Sequence, residues 1–208
     1  MPPAGKGCGW NATRPMKVNE IFYSLQGEGY NTGTPAVFIR LSGCNLRCPF
    51  CDTSHTEGTE MTEADIAHAA ATYPAKLVVV TGGEPSLQLT ESLVALLHKA
   101  GKRVAVETNG TRPLPPGVDW VTLSPKEDFV PGTAASVRLT RCDELKVVYT
   151  GDEPRVPAGV EAARLFLQPC DTGDAERNAA LTRGAVAYCL AHPEWRLSLQ
   201  THKVCGFK

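Results

Sequence analysis

Three cysteines that could hold a metal centre lie close together, at Cys44, Cys48 and Cys51. They form the pattern C-x3-C-x2-C, and an aromatic residue, Phe50, precedes the third cysteine. Three thiolates are one fewer than the four ligands that close an ordinary iron-sulfur cluster or a structural zinc site. A metal centre in this segment therefore keeps one coordination position open for another molecule.

Two metals are compatible with the cysteine segment. An iron-sulfur cluster bound by the three thiolates is one of them. Zinc is the other, because His55 follows Cys51 at a spacing that could complete a Cys3His site. The segment by itself leaves both alternatives open.

The elements that must position these cysteines follow from hydrophobic patterning. Short apolar runs rich in β-branched residues predict strands that begin near residues 18, 36, 77, 104, 120, 144, 165 and 196. Helices are predicted over about 62–73, 90–100 and 175–191, the first opened by a capping sequence at Thr62. Strands that alternate with helices indicate a mostly parallel sheet, and polar residues repeatedly follow the strand ends.

Length favours a partial barrel. A complete eight-fold barrel needs about 250 residues, and this chain has 208. We therefore expect an α/β fold, a partial TIM-like (β/α) barrel with about six core parallel strands and some crossover helices shortened. Residues 16–208 are expected to form one domain after a flexible leader at 1–15, which is rich in Pro and Gly.

Composition narrows the class of partner. The formal net charge is −1, so we expect neither nucleic acid nor a membrane surface as a partner and favour a small-molecule substrate. No apolar run is long enough to span a bilayer, and the N-terminus lacks the apolar core of a signal peptide. The five cysteines outside the metal segment show no pairing pattern, which indicates a reducing, cytoplasmic location.

A second motif decides between the metals. Thr81-Gly-Gly-Glu-Pro85 follows a predicted buried strand, at a suitable distance after the cysteines. The two motifs in this order resemble radical S-adenosylmethionine (SAM) enzymes, whose cysteine loop binds a 4Fe-4S cluster with SAM on the open iron. A zinc module gives no reason for the second motif. The resemblance implies one 4Fe-4S cluster and SAM as cofactors.

The remaining loops indicate a narrower family. The segments FYSLQGEG, CDT, TGGEPSLQ, ETNG, SPK, ELK, LQP and LQTHK resemble the 7-carboxy-7-deazaguanine synthase family of queuosine biosynthesis, from about Val18 to the C-terminus. That family converts 6-carboxy-5,6,7,8-tetrahydropterin into 7-carboxy-7-deazaguanine with loss of ammonia, and it uses Mg2+. The expected enzyme is thus a carbon-nitrogen lyase.

The resemblance implies a role for each matching residue. Cys44, Cys48 and Cys51 would bind the cluster that generates the radical, and the SAM-binding residues would be Phe50, Cys51, Asp52, Gly83, Glu107, Ser124, Pro125, Lys126, Gln168 and Asp171. The pterin would be bound by Leu25, Gln26, Gly27, Glu28, Arg40, Thr81, His202 and Lys208, the last through its terminal carboxylate. Thr53 would be the protein side-chain ligand of Mg2+. Mg2+ commonly keeps waters and takes further oxygens from its substrate, which suits a single protein ligand.

Two further partners are expected, and two alternative functions share the cysteine segment. We expect a low-potential electron donor such as flavodoxin, and a homodimer, since dimers often cover the exposed edges of a sheet. A glycyl-radical activase would share the cysteine loop, and a non-catalytic zinc module would share the cysteines. The segment after Thr53, Ser-His55-Thr-Glu-Gly, lacks an aromatic residue common in relatives, so we expect the lining of the site to differ there.

Overall fold

The structure is a computed structural model that describes residues 15–51 and 53–208. The predicted leader lies almost wholly outside the described residues, and so does Asp52. The strands are β1 (Met16–Leu25), β2 (Pro35–Leu41), β3 (Thr59–Met61), β4 (Leu77–Gly82), β5 (Arg103–Thr108), β6 (Trp120–Leu123), β7 (Arg141–Cys142), β8 (Glu144–Tyr149), β9 (Glu161–Ala162), β10 (Leu165–Pro169) and β11 (Trp195–Leu197). The helices are α1 (Glu63–Ala71), α2 (Glu91–Lys99), α3 (Ala175–Ala191) and α4 (Thr201–Cys205).

Nine of the strands form one sheet in the order β11-β10-β8-β6-β5-β4-β2-β1-β3. The run from β2 to β11 is parallel throughout, while β1 pairs antiparallel with both β2 and β3. The sheet is open, with β11 and β3 at its edges. The mostly parallel α/β sheet confirms the predicted fold class, with seven parallel strands where about six were expected.

Helices cover one face of this sheet. Alternate strand residues such as Val37, Val78 and Val104 are fully buried against α1 and α2. A second apolar cluster packs Leu145, Leu167 and other residues against α3. Burying one such aliphatic side chain contributes about 1.5–3 kcal/mol, so this layer supplies most of the driving force for folding.

Local signals explain where the helices begin. Thr62 and Asp65 form a capping box at α1, and the Thr90 hydroxyl accepts a hydrogen bond from the Leu93 N–H at α2 (3.1 Å). Asp174 caps α3 by accepting from the Arg177 N–H (2.9 Å). All three predicted helices are confirmed: α3 has the predicted bounds, and the ends of α1 and α2 are shifted by one or two residues.

Several crossovers are shortened, as expected. No α-helix connects β5 to β6, β6 to β8 or β8 to β10; these connections contain only a short 3-10 turn at Thr133–Ala135 and the small β7–β9 ladder. The sequence did not predict β3, β7, β9 or α4. They are too short to show a periodic pattern. Within the described residues no helix has the length and apolar character that a membrane crossing requires.

Candidate active site

The opposite face of the sheet carries a cavity of about 550 Å³. Strand register explains its contents: Arg40 pairs with Thr81, and Glu107 pairs with Thr122 at the same level of the sheet. Because side chains alternate between faces, these polar groups point away from the helices. The predicted residues that line the cavity are Leu25, Gln26, Gly27, Glu28, Arg40, Cys44, Cys48, Phe50, Cys51, Thr53, Thr81, Gly83, Glu107, Ser124, Lys126, Gln168, Asp171, His202 and Lys208. Pro125 is buried beside Ser124 without lining the cavity.

The cysteine loop follows β2, and all three of its thiols line the cavity. Cys44 and Cys48 are half-buried, whereas Cys51 is exposed, and none forms a disulfide. Burial raises the pKa of the Cys44 and Cys48 thiols. Three free thiols at one cavity fit the ligand set of an iron-sulfur cluster that keeps one iron open.

The alternative zinc site is not assembled. Within residues 15–51 and 53–208, no three His, Cys, Asp or Glu side chains are placed to hold one metal ion. His55 instead contributes its main-chain carbonyl, which accepts from the Gly43 N–H (2.7 Å). In a cluster each thiolate binds a different iron, so the three sulfur atoms need not converge on a single point.

The Gly-Gly-Glu-Pro segment is packed directly against the cysteine loop. The Glu84 N–H donates to the Gly43 carbonyl (2.8 Å), and a Cβ atom on Gly83 would lie 2.0 Å from that same oxygen. Only glycine permits this approach at position 83. The two motifs that the sequence placed in order along the chain are thus in backbone contact.

The buried Glu84 side chain holds this segment in place through hydrogen bonds. It is 1% exposed and accepts hydrogen bonds from the Thr108 hydroxyl (2.6 Å) and the Asn109 N–H (2.8 Å). A third donor is the Ser86 N–H (3.0 Å). Glu84 was predicted only as part of a motif; in the fold it joins the end of β4 to the end of β5.

Lys126 is a cation without a carboxylate partner. Its Nζ donates to the Ser124 carbonyl (2.9 Å) and hydroxyl (2.5 Å). No carboxylate in the described part of the chain lies within ion-pair distance of it, and burial lowers the pKa of Lys126 to about 8. A partly desolvated ammonium group beside the cysteine loop fits the carboxylate of a ligand.

The loop after β1 contacts the floor of the cavity. Gln26 Nε2 donates to Glu107 Oε1 (2.9 Å), and the Thr81 hydroxyl donates to Glu107 Oε2 (3.3 Å). The Glu28 carboxylate forms an ion pair with Lys146 and accepts from Gln200 Nε2 (3.0 Å). Residues predicted to bind the pterin and the SAM ribose are therefore connected in one network.

Lys146 and Glu144 were not predicted as site residues. They flank Leu145 in β8, and both lie on the cavity face. Burial opposes the charge of Lys146, but the carboxylates of Glu107 and Glu28 outweigh it and hold the pKa of Lys146 above its ordinary value. Burial raises the pKa of Glu144. The signal that could have identified them is two charges with period-2 spacing in an otherwise apolar strand.

Glu20 is a further residue that the sequence did not reveal. Its carboxylate accepts from Arg40 Nε (2.9 Å) and also pairs with the Lys208 ammonium group. The Lys208 ammonium lies 4.5 Å from the centre of the Phe22 ring, and its main-chain oxygen accepts from the Ser24 hydroxyl (2.6 Å). The structure thus brings Arg40 and Lys208 together at one side of the cavity, through a shared carboxylate.

The C-terminal helix α4 closes the same side. Thr201 donates its N–H (3.0 Å) and its hydroxyl (2.8 Å) to the Gly27 carbonyl. A Cβ atom on Gly27 would lie 2.4 Å from His202 Nδ1, so the His202 ring contacts the Gln26–Glu28 loop directly. Lys203 pairs with Asp171 (2.7 Å), which ties α4 to the end of β10.

Comparison with known proteins agrees with this geometry. Residues 38–127 match the family model of the Radical SAM superfamily. The chain is 55% identical over 192 residues to 7-carboxy-7-deazaguanine synthase of Bacteroides thetaiotaomicron, covering 92% of this chain and 98% of that one. It is 45% identical to the Caulobacter vibrioides enzyme of the same name, covering 91% of this chain and 97% of that one.

A solved structure also resembles this fold. The crystal structure of QueE from Escherichia coli superimposes with a TM-score of 0.68 at 32% identity. The match covers 89% of this chain and 93% of that chain. The similarity therefore extends over nearly the whole length, well beyond the cysteine loop.

Proposed function

Because this chain belongs to the 7-carboxy-7-deazaguanine synthase family of radical SAM enzymes, we propose that it converts 6-carboxy-5,6,7,8-tetrahydropterin into 7-carboxy-7-deazaguanine with loss of ammonia. This reaction belongs to queuosine biosynthesis. Family membership decides against the two rivals, a glycyl-radical activase and a zinc module.

One observation carries the proposal. A single cavity joins the cysteine loop on one side to Gln26, Glu28, Arg40, Thr81 and His202 on the other. When bound, the 4Fe-4S cluster and SAM supply a 5'-deoxyadenosyl radical. Everything else the reaction needs from the protein is position, since a radical acts on the hydrogen that is held next to it.

Position in the cavity supports the proposed SAM-binding roles. Lys126 offers a positive charge for the SAM carboxylate, and Gly83 offers open main chain beside the cysteines. Glu107 and Ser124 lie at the ends of neighbouring strands, where the ribose hydroxyls would meet acceptors. Phe50 packs edge-on against Phe129 with ring centres 4.7 Å apart, which would hold the ring beside adenine.

Gln168 and Asp171 complete the proposed nucleoside site, together with Cys51 and the neighbouring Asp52 and Pro125. Gln168 is buried and accepts from the Ser198 hydroxyl (2.8 Å). Asp171 lies at the end of β10 and lines the cavity. Both are therefore held on the far side of the cavity from the cysteine loop.

The pterin would occupy the side formed by the Gln26–Glu28 loop. Glu28 and Gln26 offer acceptors for the ring, with the main chain of Leu25 and Gly27 next to them. Arg40 and His202 offer donors for the substrate carboxylate, and the Thr81 hydroxyl would turn from its long hydrogen bond to Glu107 (3.3 Å) to donate to the same carboxylate. Lys208 lies at this edge through its pairing with Glu20.

Mg2+ belongs to the proposal as well. Thr53 lines the same cavity, two residues after Cys51. Its hydroxyl suits a hard cation that takes its remaining ligands from water and the substrate. We also propose one domain over 16–208, a cytoplasmic location, a homodimer, and reduction by a low-potential donor such as flavodoxin.

The test is anaerobic turnover. Reconstituted protein is incubated with SAM, dithionite, Mg2+ and 6-carboxytetrahydropterin, and the products are analysed by mass spectrometry. We expect 7-carboxy-7-deazaguanine and ammonia. No product from a reduced, fully clustered sample would refute the assignment.

The proposed role of Thr53 as a ligand of Mg2+ is tested by a substitution at that residue. Thr53→Ala should raise the Mg2+ concentration needed for half-maximal rate, while SAM cleavage without substrate continues. Ser54→Ala removes the neighbouring hydroxyl, which also lines the cavity, and serves as the matched control. An unchanged Mg2+ response in Thr53→Ala would exclude Thr53 as the ligand.

A further inference from the structure

Lys146 is a lysine buried in the floor of the cavity. Its side chain is 7% exposed, its Nζ contacts the Glu28 carboxylate, and it lies 3.7 Å from Glu107 Oε1. Within the described residues, no other cation forms an ion pair with either carboxylate. Because β8 is paired with parallel neighbours on both sides, the position of Lys146 is fixed by the sheet.

We infer that Lys146 is a positioning residue for the pterin: it holds the Glu28 carboxylate ionised and oriented, so that Glu28 accepts hydrogen bonds from N–H groups of the substrate ring. The inference rests on the proposed function, since it assumes that a pterin occupies this side of the cavity. Lys146 itself acts only through Glu28.

The geometry leaves Glu28 able to accept more. One of its oxygens pairs with Lys146, the other accepts from Gln200 Nε2 (3.0 Å), and the Gln168 side chain also hydrogen-bonds to the carboxylate. An ionised carboxylate has about four acceptor sites and no donor, so acceptor capacity remains. A ring that presents an N–H donor to this remaining site is therefore favoured over a ring that presents an acceptor there.

Charges around Glu28 show why the lysine is needed. Glu107 on β5 and Glu144 on β8 are carboxylates near it, while Lys126 and His202 are the titratable groups of basic character that face the same space. Burial would raise the pKa of Glu28, but Lys146 outweighs burial and lowers it to about 2. Without Lys146, the partly buried carboxylates of Glu28 and Glu107 would face each other with no cation between them, and the pKa of Glu28 would rise.

The carboxylates around Lys146 also exclude a role for it in proton transfer. Glu107 and Glu28 hold the pKa of Lys146 above its ordinary value despite burial. Lys146 therefore keeps its proton at neutral pH, and we assign it no part in the release of ammonia. Its contribution is a fixed charge.

The test is the pH dependence of pterin affinity in Lys146→Met. Binding of 6-carboxytetrahydropterin to cluster-loaded protein is measured by anaerobic calorimetry between about pH 5 and pH 8, the range over which a buried carboxyl with a raised pKa titrates. We expect affinity to fall about ten-fold or more at the acid end, the cost of losing a charge-assisted hydrogen bond. It should recover as pH rises, because Glu28 ionises again. In wild type, Glu28 stays ionised over this range, so its titration should cause no change in pterin affinity with pH. Lys146→Arg should retain most of the wild-type affinity.

Two controls separate positioning from general damage. Lys102→Met removes another buried lysine, whose Nζ donates to the carbonyls of Tyr73 and Ala75 (2.7 Å each), away from the cavity. It should lower stability without changing pterin affinity. In a Glu28→Gln background, Lys146→Met should add little, because residues that act through one another are not additive.

The outcomes are distinct. Pterin affinity in Lys146→Met equal to wild type at all pH values, or independent effects of the Lys146 and Glu28 changes, would overturn the inference. If Lys146→Met does not fold, a folded Lys146→Arg with a new acid-side loss of affinity would overturn it equally. A wild-type protein that forms no product would instead refute the proposed function.

Discussion

The two faces of the sheet are built from alternate residues of the same strands, yet they carry different chemistry. In β2, Val37 and Ile39 are fully buried against helices, whereas Arg40 reaches the cavity. In β8, Leu145 lies in the apolar core, whereas Glu144 and Lys146 lie on the other side. One face supplies burial of apolar area, and the other holds charges that burial alone would penalise.

The difference teaches where polar groups can be kept inside a small protein. Each charge on the cavity face has a partner from another element: Glu84 has β5, Lys146 has Glu28, and Arg40 has Glu20. Lys126 is the exception among the described residues: it has no carboxylate partner, and its ammonium group contacts only the oxygen atoms of Ser124 and the face of the Phe50 ring. A face that pairs its charges across strands tolerates them, and the unpaired cation marks where a ligand anion would bind.

The largest expected effect is the removal of one cysteine of the loop, which should abolish activity at the cavity face without unfolding the helix-covered face. Cys48→Ala should abolish product formation and lower the iron content of the reconstituted protein, while far-ultraviolet circular dichroism stays unchanged. Cys142→Ala is the matched control: burial raises the pKa of that thiol to about 11, and it packs in the helix-covered core. Equal iron loss in both variants would contradict the assignment of metal ligands to the loop alone.

Truncating a side chain in the helix-covered core should lower stability while ligand binding at the cavity face is retained. Leu97 on α2 is fully buried in the helix-covered layer, and Leu97→Ala should lower the free energy of unfolding by about 2–5 kcal/mol. The folded fraction should bind SAM as wild type does, measured by calorimetry below the unfolding temperature. A large change in SAM affinity would show that the two faces are coupled.

Substitutions of Lys126 test whether this unpaired cation binds the carboxylate of SAM. Lys126→Ala should weaken SAM affinity about ten-fold, since one charge-assisted hydrogen bond is lost. Lys126→Arg, which keeps the charge with a different donor geometry, should lose less. SAM affinity unaffected by Lys126→Ala would remove this residue from the carboxylate site.

The smallest effect is expected at the rim. Lys203 pairs with Asp171, and each side chain is 35% exposed, so Lys203→Met should cost less than about 1 kcal/mol. The hydrogen bond from Lys203 holds the pKa of Asp171 below its usual range. That stabilisation is present above the unfolded pKa of Asp171 and is lost as pH falls through the folded pKa.

Urea unfolding of wild type and Lys203→Met at neutral and acid pH measures this difference. The two proteins should differ slightly at neutral pH and converge in acid. A difference that grows as pH falls would mean that Lys203 stabilises the fold through another contact.

Much of this protein could be predicted from local patterns. The β-branched runs located the seven parallel strands, and helical patterning located α1, α2 and α3, with a capping sequence marking the start of α1, because these signals depend on near neighbours. The cysteine spacing and the Gly-Gly-Glu-Pro segment indicated the family, since both motifs are contiguous in sequence. Nineteen of the predicted site residues line the cavity, and those at the ends of parallel strands do so because such strands place their carboxyl ends together.

Only the tertiary structure decided which charges meet. Glu28 and Lys146 are 118 residues apart, and Glu20 and Lys208 are 188 apart, and no local pattern specifies such pairs. Lys146 was predicted only as part of a strand, and Glu20 as part of another. Their partners, burial and ionisation depend on strand order and register, which bring distant residues to one face of the sheet. The sequence therefore determined the cofactor-binding motifs, and the fold decided which charged side chains surround the substrate.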